Sequence, residues 1–287
     1  MPRLAGVSHR SVDVGGLRVH VAEAGQGLPL VLLHGWPQHW WAWREVVPLL
    51  ADDYRLVMPD LRGQGWTDAP PSGYEKEQLA SDVLGLFDAL ELDRVRLMGH
   101  DWGGWAGFLI CLREPERVER FMALNIIHPW PSNDPRNLLS AWRLGYQWLL
   151  GAPVAGAALL RRFPEQLVGT GLRRGAQRPG AFSDSDVRIF AERFRDPARA
   201  RATAQLYRTF QLREQLPVAR GRYRSQRLAT PTLLLFGCAD AVIPTRMLRG
   251  YEPYAHDMSV ELVHDAGHFI AEDVPDLVVD RALRFFA

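Results

Sequence analysis

Residues 98–107 read MGHDWGGWAG. Within them Gly99-His100-Asp101-Trp102-Gly103 has the frame of a nucleophile elbow, G-x-S-x-G, with aspartate in the serine position. The exchange alters which carbon can be attacked. A serine alkoxide acting on a saturated carbon leaves an ether, which has no carbonyl for water to attack. A carboxylate acting on the same carbon leaves an ester, which brings its own carbonyl and can be hydrolysed. Aspartate has a reference pKa of about 3.9 and is ionised at neutral pH without help from a base. The start of the helix that follows should favour the anion further. Alone, Asp101 reads as readily as a helix N-cap, so its companions decide.

Hydrolysis of such an ester needs a general base for water. The stretch AGHFI puts His268 in a loop after the apolar run MSVELV, and GCADAVIP puts Asp240 after TLLLFG. Nucleophile, acid and histidine in that chain order is the order of α/β hydrolases, with Asp240 orienting His268 as the base. His100, His128, His256 and His264 lack such placement and read as structural. The tetrahedral intermediate needs two preorganised donors. The backbone N–H of Trp102, directly after the nucleophile, offers one. HGWP, after the run LPLVLL, offers the N–H of Trp36, and Trp36-Pro37 is where a cis peptide would fall. Tryptophans 36, 40, 41, 43 and 102 supply either an apolar pocket or core.

The elements that must position these residues follow from periodicity. SVDVGGLRVHVAEAG alternates around Gly15-Gly16 as a hairpin. LPLVLLHGWP, YRLVMPD, RVRLMGH, VERFMALNI and LATPTLLLFG carry short continuous apolar runs, as buried parallel strands do. WAWREVVPLLADD, EKEQLASDVLGLFDALEL and the stretch through Cys111 have helical spacing. Strand and helix alternate, so the expected class is α/β with a mostly parallel sheet flanked by helices. At HPWPSNDP, residues 128–135, the rhythm stops, and it resumes only after Pro231. The expected division is a core of residues 1–128 and 228–287 and a helical cap, or lid, of residues 129–227.

Composition narrows the function classes. The chain has 287 residues, a 47% hydrophobic fraction and a net charge of +1. That charge is unevenly spread: residues 129–227 hold 18 arginines and 7 acidic residues, and the remainder 16 basic and 26 acidic. Two oppositely charged parts that pack on each other account for this. No aromatic-interleaved basic motif accompanies the excess, and nucleic acid is not expected as a partner. LLGAPVAGAALL is too short to span a bilayer and reads as cap packing; no transmembrane segment is expected. The N-terminus lacks the apolar core of a secretory signal, and two distant cysteines, Cys111 and Cys238, suit a reducing compartment, so a cytoplasmic location is expected. No metal-ligand spacing occurs, and neither metal nor cofactor is expected.

HGWP, DLRGQGWTD at 60–68, GHDWGG, GCAD and AGHF together resemble the α/β-hydrolase-fold epoxide hydrolases over nearly the whole chain. The resemblance implies an α/β-hydrolase fold with an inserted helical cap, and two cap tyrosines that hydrogen-bond the epoxide oxygen. GYQWLL and QLYRTF match those segments, which assigns the role to Tyr146 and Tyr207 and makes Gln147 a substrate-binding neighbour. Tyr223 lies in an arginine-rich stretch near the end of the cap. GHDWGG alone is also similar to haloalkane dehalogenases, which share the aspartate nucleophile. Trp36 differs from the Asn or Glu common there, and Trp102 from the arginine that fluoroacetate dehalogenases carry. The expected activity is opening of an apolar epoxide by water to a vicinal diol, with Trp36 and Trp102 lining the substrate. Dehalogenation by the same Asp101 is the alternative, and a non-catalytic binding protein on the same scaffold the third reading. A homo-oligomer is compatible with the sequence.

Overall fold

The computed structural model describes residues 1–131 and 145–287. Of the segment 129–227 and the turn-rich stretch 128–135, residues 132–144 lie outside the described residues. The apolar runs form eight strands: β1 Ser8–Val14, β2 Leu17–Ala24, β3 Pro29–Leu33, β4 Arg55–Pro59, β5 Val95–His100, β6 Val118–Leu124, β7 Thr232–Gly237 and β8 Met258–Val263. They make one sheet in the order β1-β2-β4-β3-β5-β6-β7-β8. β1, β2 and β4 pair antiparallel, and every pairing from β4 onward is parallel.

Parallel strands need both faces covered, and side chains alternate between the faces. Val31 and Leu33 of β3 join the cluster that contains Leu97, Phe108 and Tyr207. Leu30 and Leu32 join the opposite cluster, with Met58, Met98 and Phe286. The covering helices are α1 Val47–Leu50, α2 Lys76–Ala89, α3 Trp102–Arg113, α4 Gly145–Gly151, α5 Ala155–Arg162, α6 Pro164–Gly175, α7 Asp184–Glu192, α8 Pro197–Thr209, α9 Gln215–Ala219, α10 Ile270–Asp273 and α11 Pro275–Phe286. A wide π turn, Phe210–Glu214, joins α8 to α9. The helical spacing read in WAWREVVPLLADD yields instead a 3-10 turn at Trp40–Trp43 and the four-residue α1. Pro48 has no N–H to return to the Arg44 carbonyl, so no single helix runs through.

Helices α4 to α9 all lie between β6 and β7 in the chain. Their arginines reach the acidic and carbonyl groups of the remainder: Arg213 pairs with Glu75 at 2.6 Å, and Arg193 and Arg199 both donate to the Gly65 carbonyl. Within LLGAPVAGAALL, Ala157 and Leu160 are buried but Leu149 and Val154 are exposed. Among the described residues, no helix is long and apolar enough to cross a membrane. Cys111 and Cys238 are both free.

Candidate active site

The elbow is a steric construction. Asp101 leaves β5 at φ 50°, ψ −122°, and the Trp105 N–H returns to its carbonyl at 2.9 Å to begin α3. A non-glycine residue at positive φ costs about 1–3 kcal/mol. The turn is tight because glycines allow it: a Cβ on Gly103 would collide with the Leu33 carbonyl, and one on Gly99 would lie 2.7 Å from the Gly103 oxygen. Thus the glycines of GHDWGG let α3 press against β3 and hold Asp101 at the carboxyl edge of the sheet. That edge is where the side chains of open α/β sheets meet ligands.

The N-cap reading of Asp101 does not hold geometrically, since its side chain makes no capping hydrogen bond. Its Oδ2 instead accepts the Trp36 N–H at 3.0 Å, from the loop after β3. The Trp36-Pro37 bond is cis, as the sequence suggests. Burial pushes the Asp101 carboxyl up to about 6, against the pull of His268 and of the Trp36 and Trp102 N–H groups. The sequence leads one to expect a pKa near the reference value and lowered by the helix start. Desolvation outweighs that end of the helix, and the carboxylate remains mostly ionised at neutral pH.

His268 follows β8 and Asp240 follows β7. The His268 Nδ1 donates to Asp240 Oδ2 at 2.8 Å, leaving Nε2 for another partner. Asp240 is further held by N–H groups of Val242 at 2.7 Å and Ile243 at 2.9 Å on Oδ1, and by Asn125 Nδ2 at 2.9 Å on Oδ2. Burial raises its pKa, but His268 and these donors outweigh burial and hold it below the usual carboxylate range. Burial likewise lowers His268; the charge and hydrogen bond of Asp240, then the charge of Asp101, overcome it and lift the imidazole to about 9.

Asn125, at the end of β6, was not among the residues singled out from the sequence. Its amide oxygen accepts the Gly237 N–H at 3.0 Å while its nitrogen holds Asp240, so it ties β7 to the acid. The available signal was a polar residue at the end of an apolar strand run. His100, read as structural, bonds the His268 carbonyl through Nε2 at 2.8 Å and so fixes the backbone of the histidine loop. His128 is buried against Trp130, and His256 and His264 are exposed.

The two tyrosines of α4 and α8 come together beside Trp36, whose N–H holds Asp101. The rings of Tyr146 and Tyr207 meet edge to face at 5.9 Å, and Trp36 packs on both, at 6.3 and 5.4 Å. Tyr146 keeps 36% of its surface exposed, with its hydroxyl beside Gln147. Burial and then the charge of Asp101 hold its proton well above the ordinary phenol range. Burial, Tyr146 and Asp101 do the same for Tyr207. Gln147 Nε2 donates to the Tyr146 hydroxyl at 3.4 Å. Tyr223 lies elsewhere, bonded to Glu77 at 2.8 Å. Trp102 packs against Tyr207 with centroids 6.0 Å apart. Of the other tryptophans, Trp40 and Trp43 are fully buried in the cluster on the opposite face of the sheet. They are core and not pocket, because the 3-10 turn directs them beneath the sheet. Trp41 is half-buried and donates to Asp186 at 2.9 Å.

Residues 29–275 match a family profile described as the alpha/beta hydrolase fold. The chain is 31% identical over 289 residues to a soluble epoxide hydrolase of Corynebacterium sp. (strain C12), covering 98% of each protein. Among solved structures, Cfl2 of Burkholderia cenocepacia is similar at 32% identity and a TM-score of 0.88, over 100% of this chain and 98% of that one. The epoxide hydrolase CorEH is similar at 30% identity and a TM-score of 0.82, over 98% of both chains. Sheet order, elbow and these similarities agree: the chain belongs to the α/β-hydrolase-fold epoxide hydrolase family.

Proposed function

We propose that this protein opens an apolar epoxide with water, through a covalent ester on Asp101, and that residues 129–227 form a cap over a core of residues 1–128 and 228–287. The observation that carries this reading is the meeting of two phenol rings, Tyr146 and Tyr207, 5.9 Å apart and both packed on Trp36, whose N–H holds the Asp101 carboxylate. An epoxide oxygen leaves as an alkoxide, whose conjugate acid has a pKa of about 16. It needs an acid, and a phenol can hydrogen-bond the ring oxygen and then protonate it. A departing halide needs no proton.

In the first step the free oxygen of Asp101 attacks a ring carbon, the carbon–oxygen bond breaks, and the ring oxygen takes a tyrosine proton. Trp36 and Trp102 line the substrate, and Gln147 holds the Tyr146 hydroxyl. In the second step Nε2 of His268, oriented by Asp240, takes a proton from water, and the hydroxide adds to the Asp101 ester carbonyl. The oxygen already held by the Trp36 N–H becomes the oxyanion, with the Trp102 N–H as second donor. Collapse expels the diol and leaves one water oxygen in Asp101. Esterification also removes the carboxylate charge that helps hold His268 protonated, so forming the ester readies the base.

The test is a single turnover of styrene oxide in heavy-oxygen water. Diol should form, and a peptide containing Asp101 should carry the label. In His268→Gln, mass spectrometry should find the alkylated Asp101 accumulating. Diol without label in Asp101 would refute the covalent route. A second reading rests on the Trp102 indole N–H, which is buried and packs beside Tyr207. Such a donor suits a halide, so bromide release from a bromoalkane without diol from styrene oxide would establish dehalogenation instead. Binding of styrene oxide with neither product nor adduct would leave a binding protein.

A further inference from the structure

The single lysine of the chain is buried between core and cap, and no step above uses it. Lys76 opens α2 and is 1% exposed. Its Nζ lies 2.6 Å from the Leu206 carbonyl, 3.1 Å from Glu214 Oε2 and 3.2 Å from the Tyr74 carbonyl. The same ammonium sits 4.7 Å from the centroid of Trp102 and 5.4 Å from that of Phe210. Its backbone N–H donates to the other Glu214 oxygen at 2.8 Å, so one carboxylate clasps both ends of the residue. An ammonium is costly to bury unless its donors are all engaged. Here three oxygens and two aromatic faces engage it, and burial still pulls its pKa down to about 8 against the charge of Glu214.

These contacts converge on the acid of the first step. Leu206 is the residue before Tyr207 in α8. The Phe210 N–H, the ordinary helical partner of the Leu206 oxygen, bonds the Tyr207 carbonyl instead, and the π turn that follows swings Glu214 back towards α2. Thr209 Oγ1 bonds the Tyr74 carbonyl at 3.0 Å, a second tie between the same two segments. On its other side the ammonium lies over Trp102, the wall beside Tyr207. We propose that Lys76 is a positioning residue for ring opening, which fixes Tyr207 relative to Asp101 through the Leu206 carbonyl and Glu214. The inference rests on Tyr207 being the acid of the proposed function.

Single-turnover tryptophan fluorescence with styrene oxide separates formation of the Asp101 ester from its hydrolysis. Lys76→Met is combined with Glu214→Gln so that no unpaired charge is left buried. Ester formation should slow by about 10- to 100-fold, as small misplacements of reacting groups do, while ester hydrolysis changes by less than about 3-fold. In a Tyr207→Phe background the same pair should add less than about 3-fold, because its effect passes through the missing hydroxyl. Equal slowing of both steps, a full additional loss on top of Tyr207→Phe, or no slowing would each overturn the proposal. Should the double variant not fold, Lys76→Arg, which keeps the charge but cannot keep the Leu206 contact at the same reach, is read by the same two rates. If the unaltered protein forms no Asp101 adduct, the proposed function fails on its own account, and that result is distinct from unchanged rates in the variant.

Discussion

Replacing Asp101 by Asn should stabilise the fold while abolishing turnover. The magnitude follows from the raised pKa of Asp101, which burial shifts from 3.8 to about 6. Each unit corresponds to about 1.4 kcal/mol of difference between the two protonation states. An acid whose folded pKa is raised destabilises the fold wherever it is ionised. The cost is negligible below the unfolded value, grows as the pH rises from about 4 to 6, and is complete above the folded value. At pH 7 the ionised carboxylate therefore costs about 3 kcal/mol, and at pH 4.5 about 1 kcal/mol. Asn keeps the shape and the Cβ, so the strain at φ 50° is unchanged and only the charge is removed.

The assay is unfolding of both proteins at the two pH values. A gain of about 3 kcal/mol would raise Tm by several degrees in a chain of this size. The gain should shrink by about two thirds at pH 4.5. If Asp101→Asn is no more stable at pH 7, or gains equally at both pH values, the desolvated-nucleophile argument is wrong. An ordinary N-cap predicts a different pattern. Exchange for Asn would then be nearly neutral, and exchange for Ala would cost about 1 kcal/mol.

Three further outcomes follow from the same geometry. The rate of ester formation should fall about tenfold per unit below pH 6 as Asp101 protonates, with His268 protonated throughout that range; a flat profile down to pH 4.5 in stopped flow would contradict the assignment. Tyr207→Phe should slow ring opening by about 10²- to 10⁴-fold and leave ester hydrolysis unchanged, with a smaller loss in Tyr146→Phe, whose side chain is more exposed than that of Tyr207; equal losses in both steps by quenched flow would remove the tyrosines as acids. Asn125→Ala removes one donor from Asp240 and strands the Gly237 N–H, so it should slow ester hydrolysis by about tenfold and cost about 1–3 kcal/mol of stability. Faster or unchanged hydrolysis would deny Asn125 its part in orienting the acid.

The candidate triad was legible because each member follows an apolar strand run, and strand ends at one edge of a parallel sheet converge in space. Asp101, Asp240 and His268 follow β5, β7 and β8, which with β6 between β5 and β7 lie side by side at that edge. Asn125 stands at the same edge after β6, but a lone asparagine after a strand looks like any turn former. What it holds is decided by Asp240, 115 residues later. Lys76 and Glu214, 138 residues apart, were invisible for the same reason, since nothing local in EKEQLA marks a buried ammonium. The tryptophans show the limit of side-chain type as evidence. HGWPQHWWAW holds four tryptophans and two histidines in one short stretch, but a 3-10 turn sends Trp40 and Trp43 beneath the sheet while Trp36 remains beside Asp101. The direction of the Asp101 pKa shift was unreadable because desolvation is set by everything packed around it.

The upward shifts at Asp101 and His268 belong to one device. Before reaction the site holds a carboxylate, neutral tyrosines and an imidazolium lifted to about 9. In the proposed reaction, ring opening converts the carboxylate to an ester and one tyrosine, which gives up its proton, to a phenolate. The net charge is the same before and after, so the buried site need not draw in a counter-ion during its first step. The new state is unstable in one respect, however. The imidazolium has lost the Asp101 charge that helped hold its proton, while a strongly basic phenolate has appeared in surroundings that favour the neutral phenol. A single proton shift from imidazolium to phenolate relieves both, and it yields the neutral His268 that water activation requires. Burial therefore drives the sequence of events: it makes the carboxylate a better nucleophile by desolvation, keeps the tyrosines as acids, and switches the histidine to a base only once the ester exists.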